Sequence, residues 1–403
     1  YFLQEVEDGR FEVYFGDGVT GAKVAEGNIV ILEYIVTNTT ESNGANSFSL
    51  SGNIGGFTDV DITVNSNSQG GAEAETNESI KFNAPLTYAA QNRAVTTTDY
   101  ETFVKQLYPN AISVSAWGGE DDETPVYGVV KISIKAASGS TLTAATKADI
   151  VAQLQKYNVA SVRPEIVDAE TTSVILQTTV RYDDKQTTKT AESLETDVIN
   201  AVTNYNSSTL QKFDGVFRYS KLLGLIDDVD NSIVSNITTV KIRKPFTPTL
   251  STSARYDVYF RNAFYNPHSG HNADMGGILS STGFKVSGDT NEMFLDDDGA
   301  GNIRRFYLNA GVKTYANTEQ GTINYATGQI TINSLNVTEI SNIRGSSSTV
   351  IELTVIPNSN DIVPVRNTVV DIDIANSTFV VEKDNFVGGG NDAGVGYTTV
   401  TSY

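Results

Sequence analysis

The chain has 403 residues, with 28 Lys plus Arg against 48 Asp plus Glu, a formal charge of −20. At roughly 150 residues per domain this length predicts about two to four domains, and so acidic a surface repels phosphate backbones and anionic lipid, which excludes nucleic acid and membrane as expected partners. Cys is absent, removing disulfides, thiolate metal sites and Cys nucleophiles together. No stretch approaches the ~18 consecutive apolar residues of a spanning helix.

The chain opens on Tyr1-Phe2-Leu3-Gln4 with no Met, and it is expected to be part of something longer. Phe11 to Phe15 and Ile29 to Val36 are aromatic and β-branched runs bounded by Gly and Asn, so they are read as strands. Thr37 to Gly71 is Ser, Thr, Asn and Gly with apolar islands at Phe48–Leu50 and Val60–Val64. Residues 1–71 are therefore expected to form a β-rich domain, the C-terminal part of a larger one.

The pattern changes at Gly70-Gly71. Glu73, Glu75 and Glu78 suit a helix start, where carboxylates complement the helix dipole, and Pro85 predicts a break or a new first turn. Thr98-Asp99-Tyr100-Glu101 matches a capping box, followed by one apolar face of Tyr100, Phe103, Val104 and Leu107. Pro109 ends that helix, and Val126 to Ile134 reads as a strand. Residues 72–135 are thus a helical and two-strand segment.

From 136 to 246 the chain alternates between periods. Helices are marked by Ile150, Leu154 and Tyr157, by Leu194, Val198, Ala201 and Tyr205, and by Tyr219, Leu222, Leu223 and Ile226; strands by Val174 to Tyr182 and Ile237 to Ile242. This predicts a sheet covered by helices on one face, of ferredoxin-like size, closed by a linker at Pro245–Pro248. Residues 250–387 return to short alternating runs: Tyr256 to Phe260, Ile303 to Leu308, Gly321 to Tyr325, Gln329 to Ile332, Val350 to Ile356 and Val369 to Ile374. Tyr325 to Ile330 reads as a hairpin, and 388–403 as a glycine-rich tail. The fold class is α+β and multidomain, with β-rich ends and a helical, α+β middle.

The candidate chemical motifs fail on context. Gly16-Asp17-Gly18-Val19-Thr20-Gly21 satisfies G-x-G-x-x-G, but the run from Ile29 to Val36 after it reads as strand and not as the helix a pyrophosphate needs. His268 and His271 are the only histidines; with Asp274 they offer three donors, yet a polar loop is the favoured reading. Asp296-Asp297-Asp298-Gly299 opens like a calcium loop, but its twelfth position is Tyr307 and not the required Glu, so a solvated hairpin turn is expected. Glu120-Asp121-Asp122-Glu123 is read as a solvated acidic loop. No catalytic, cofactor-binding or metal-binding residue is assigned, and no cofactor is expected.

Three motifs in order carry a resemblance. They are Phe15-Gly16-Asp17-Gly18 with Gly21 and Gly27, then Gly70-Gly71-Ala72-Glu73-Ala74-Glu75, then Arg93-Ala94-Val95-Thr96-Thr97-Thr98-Asp99-Tyr100-Glu101. Together they resemble the baseplate J-like family of contractile phage tails, and Asn83-Ala84-Pro85-Leu86 is similar to the wedge subunits of T-even-type members. The likeness spans residues 11–135 by motif, continues to 246 by pattern, and is looser beyond 250, where it includes Pro364-Val365-Arg366-Asn367. Where family members often carry Pro at the acidic helix start, this chain has Ala74.

The resemblance implies a structural, non-enzymatic role: wedges around a central hub that relay the rearrangement triggering sheath contraction. It further implies a homo-oligomer, a dimer within each wedge, contacts with other wedge subunits and the sheath-initiating tail protein, and a place in the virion baseplate after assembly in the host cytoplasm. Independent of it stands another reading, a surface adhesin or carbohydrate-binding protein with an aromatic platform of Tyr256, Tyr259, Phe260, Phe264 and Tyr265.

Overall fold

The computed structural model describes residues 1–6, 10–34, 38–64, 68, 71, 73–122, 124–136, 141–159, 161–268, 270–272 and 277–384. Glu123, Asp274, Gly70, Ala72 and the 388–403 tract lie outside the described residues, as does the end of the 29–36 run. The protein is mixed α+β.

Strands β1 (Phe2–Val6) and β2 (Arg10–Tyr14) pair antiparallel as a two-stranded ribbon. The expected strand from Ile29 does not form among the described residues: 28–34 has no ladder partner, and Ile29, Ile31 and Tyr34 are each more than four-fifths exposed. β propensity yields a strand only where a neighbouring strand takes the backbone hydrogen bonds. Asn43 ties the region down locally. Its side-chain amide donates to the Gly71 carbonyl at 2.8 Å and accepts from the Gly71 amide at 2.9 Å. A Cβ on Gly71 would lie 2.0 Å from the Thr39 carbonyl oxygen, so this close approach needs glycine.

Helix α1 (Asn77–Ala90) is capped by Thr76 and runs through Pro85 without ending, correcting the expected break. Helix α2 (Thr97–Leu107) buries Tyr100, Phe103 and Val104, the face its periodicity marks. Its capping box is Thr96 with Asp99, two residues before the expected Thr98–Glu101. Glu101 instead accepts from the Ala116 amide at 2.9 Å, so it is held to a strand and not to its own helix end. Strands β3 (Ala111–Gly118) and β4 (Val129–Ala136), helix α3 (Ala144–Leu154) and strand β5 (Arg163–Val167) complete this unit. Its sheet has the order β3-β4-β5. Its core joins Tyr100, Phe103, Val104, Ile132, Ile150 and Leu154, with Tyr157 stacked on Phe103 at 4.3 Å.

The next sheet is built around β6 (Glu170–Tyr182), with its burial alternating along the strand as a half-covered sheet requires. Helices α4 (Ala191–Tyr205) and α5 (Tyr219–Asp227) pack against it through Leu194, Val198, Val202, Leu222 and Ile226. Strand β7 (Ile233–Phe246) pairs antiparallel with β6. Pro245 is the penultimate residue of that strand, correcting its reading as linker.

Strands β8 (Ser253–Tyr259), β9 (Ser280–Ser281), β10 (Phe284–Val286), β11 (Met293–Asp297), β12 (Asn302–Asn309), β13 (Val312–Asn324) and β14 (Gln329–Ile340) come next. β10 to β14 form an antiparallel meander whose ends pair, β10 with β14, to make a barrel flanked by β8. The hairpin expected at 325–330 is present, joining β13 to β14 with Asn324 opposite Gln329.

The chain then returns to the sheet of β6 and β7. β15 (Ile351–Val355) pairs with β7, while β16 (Thr368–Ile372) and β17 (Thr378–Lys383) lie end to end along β6, both parallel to it. The barrel is therefore an insertion between two strands of one sheet, β7 and β15. A continuous core joins the two, running from Val174, Leu176, Val240 and Ile242 to Phe284, Met293, Leu295 and Ile330. Arg243, on β7, is buried and paired with Glu352 of β15 and with Asp373 just after β16.

Candidate interaction surfaces

Two cores divide the described chain, and the segment between β15 and β16 leaves and rejoins the larger one, touching the α2–β5 unit on the way. Within this segment, Asp361 accepts from Arg218 and from the Tyr219 amide, both at 2.9 Å. Ile362 exchanges backbone hydrogen bonds with Phe217 at 2.9 and 3.0 Å. Asn262 brackets Val363, accepting its amide proton and donating to its carbonyl. Arg366 then donates to the Asp121 carbonyl and lies 3.9 Å from the Asp122 carboxylate. Asn367 donates to the Asp168 carbonyl at 3.0 Å and accepts from the Glu170 amide at 2.8 Å. The motif Pro364-Val365-Arg366-Asn367 thus fastens the α2–β5 unit to the large sheet.

The acidic run at 120–123 is only partly the solvated loop expected. Asp122 accepts from the indole of Trp117 at 3.0 Å and pairs with Lys131. Burial pushes its pKa up, but the hydrogen bonds from Lys131 and Trp117 and the charges of Lys131 and Arg366 outweigh this and hold it below the ordinary Asp value. Glu101 behaves oppositely: burial beside β3, together with the charge of Asp214, raises its pKa above the usual Glu range despite the Ala116 amide and Lys105.

The Asp296–Asp298 turn is likewise not simply solvated. Asp296 and Asp297 end strand β11 and are buried. Asp296 pairs with Arg304 and Lys313, and Asp297 accepts from the amides of Ile278 and Leu279 and from the Tyr325 hydroxyl. The expected turn role falls mainly to Asp298, which accepts from the Ala300 and Asn302 amides, with Asp297 also accepting from the Gly299 amide. The Gly16–Gly21 segment is a tight turn, with the Gly18 amide donating to the Gly21 carbonyl and Asp17 accepting from Val19 and Thr20. No helix comes after it within the described residues up to 34.

The five aromatics do not form one platform. Phe260 and Phe264 are buried and packed edge to face at 5.2 Å, and Tyr256 lies against Phe246. Tyr265 alone of the five is exposed. The large exposed apolar side chains gather instead in the first hundred residues, among them Ile29, Ile31, Phe57, Phe82 and Tyr88. Nothing in the sequence marks these as surface, because apolar runs read as core.

Residues 96–167 match the family model of baseplate structural protein gp6, C-terminal domain I, and residues 170–245 match that of its C-terminal domain III. The matches support the baseplate wedge family. The chain is also 28% identical over 264 residues to baseplate wedge protein gp6 of Enterobacteria phage T4, an alignment covering 60% of this chain and 40% of that relative. The gp6 domain I match coincides with the α2–β5 unit and its separate core. The gp6 domain III match stops at residue 245, whereas the sheet it begins is completed by β15, β16 and β17. The J-like detail of the resemblance has no counterpart in these matches.

Proposed function

We propose that the chain is a structural component of a contractile phage tail baseplate, working as a wedge subunit around the central hub. The observation that carries this reading is the pair of gp6 matches, each falling on a unit with its own sheet. Apolar side chains left exposed over the first hundred residues suit a subunit that docks others. In this reading it assembles in the host cytoplasm as a homo-oligomer, a dimer within each wedge, beside other wedge subunits and the sheath-initiating protein. It contributes no catalysis. The rearrangement that triggers contraction passes through it by rigid-body movement, with the two cores as the bodies and the 361–368 segment as their fastening.

Affinity purification of tagged full-length protein from infected cells, with stoichiometry by mass spectrometry, tests the reading. Fixed ratios of other tail proteins are expected. Recovery of the protein alone, with tight glycan binding, would replace it by the adhesin. Burial of Phe260 and Phe264 already removes two members of the aromatic platform that the adhesin needs.

A further inference from the structure

The two histidines form a pair that the assembly role leaves unused. His271 Nδ1 lies 3.2 Å from His268 Nε2, with the rings nearly perpendicular at 85°. A turn fixes this approach: the His271 amide donates to the His268 carbonyl at 3.1 Å, and Gly270 takes a φ of +85°. The base of the turn is anchored. Asn272 is fully buried and donates to the Tyr265 carbonyl at 2.6 Å, and the Tyr265 amide donates to the Ile356 carbonyl at the end of β15. The Tyr265 ring packs edge-on against His271 at 5.5 Å.

We propose that His268 and His271 together bind one divalent transition cation of the zinc, nickel and copper class. Two imidazole nitrogens each ~2.0–2.1 Å from a tetrahedral metal sit about 3.3 Å apart, which is the spacing the turn already imposes. Imidazole is a borderline donor that favours these ions over magnesium or calcium, which take oxygen. On binding, each ring takes the tautomer that leaves the facing nitrogen unprotonated, and a small rotation of the surface rings turns both lone pairs from each other to the metal. No group of three or more His, Cys, Asp or Glu residues poised for a metal occurs among the described residues. The described residues therefore supply two ligands, His268 and His271. The site is independent of the baseplate reading and stands or falls separately.

Calorimetric titration of the full chain with zinc chloride tests it, alongside H268A, H271A and a magnesium control. Saturable one-to-one binding is expected, weakened at least about tenfold by either substitution because each removes one of the two imidazole ligands. The same titration with copper, followed by electron paramagnetic resonance, should show two coupled nitrogens in the unaltered protein and fewer in each variant. Absence of saturable zinc binding would overturn the proposal. So would binding that magnesium reproduces or that neither substitution weakens, since it would belong to the acidic surface. Both rings lie at the surface of a turn, so their truncation leaves the two cores intact.

Discussion

Arg366 lies 3.9 Å from Asp122, 244 positions earlier in the chain, and the contact joins two apolar cores that have no buried residue in common. Asp122 holds the indole of Trp117 and pairs with Lys131 on the α2–β5 side, while Arg366 belongs to the segment that joins β15 to β16. The contact is therefore polar, and neither residue belongs to either core. Such a contact can be released without exposing either core, which is what a rigid-body relay requires.

Arg366→Ala should consequently loosen the junction more than it destabilises the protein. Loss of charge-assisted hydrogen bonds at a half-buried site costs about 1–3 kcal/mol. Hydrogen exchange should rise at 118–131 and around 168–170, with amides of β6 and β7 unchanged. Uniformly raised exchange over the whole large sheet would show that Arg366 supports that core and does not merely fasten two bodies.

Acid should weaken the same junction. Asp122 has a folded pKa below its unfolded value, so its stabilisation is fully present well above the ordinary Asp value of ~3.9. That contribution is lost as pH falls through the folded value. Glu101, with its folded pKa raised by burial, has the opposite sign: its penalty is present at neutral pH and fades as pH falls through the raised value toward the unfolded one. Urea unfolding at pH 7, 5 and 3.5 should show a shallower acid loss for Asp122→Asn and a steeper one for Glu101→Gln. Parallel curves for all three proteins would contradict this assignment.

Helix α2 is capped by Thr96 and not by the Thr98 expected from the sequence. Thr96→Ala should cost about 1 kcal/mol, the usual loss of an N-cap hydroxyl. Thr98→Ala should stay within about 0.5 kcal/mol, as substitutions away from special features do. Thermal unfolding of both variants decides between them, and the reverse order would restore the Thr98–Glu101 box.

How far the sequence can be read depends on which signals are local. The face of α2, the β6 and β7 strands and the 325–330 hairpin are periodic or turn-coded and appear where expected, while α4 buries Leu194 and Val198 as expected but Val202 in place of Ala201. Pro245 reads as linker, yet proline is tolerated near a strand end, and only β15, over a hundred residues later, shows that pairing. Asp296 and Asp297 look like turn residues because their partners are distant in sequence: Arg304 on β12, Lys313 on β13 and Tyr325 in the turn after it. The role of Arg366 and Asn367 is equally hidden: the motif is visible, but Asp122 and Asp168 reach it only through the fold.

The β13–β14 hairpin offers a test of close approach against backbone strain. Gly328 has a φ of +69°, and a Cβ there would lie 2.1 Å from the Asn262 carbonyl oxygen. Gly288 has a φ of +84° with open space around it. Gly288→Ala should cost about 1–2 kcal/mol, the penalty of a left-handed conformation for a residue with a Cβ. Gly328→Ala should cost more, because Asn262 also brackets Val363 and cannot shift without disturbing the segment that carries Arg366. Urea midpoints for the two variants give the comparison. Equal losses would mean that the Asn262 backbone yields freely, and the hairpin would then have no mechanical connection to the junction.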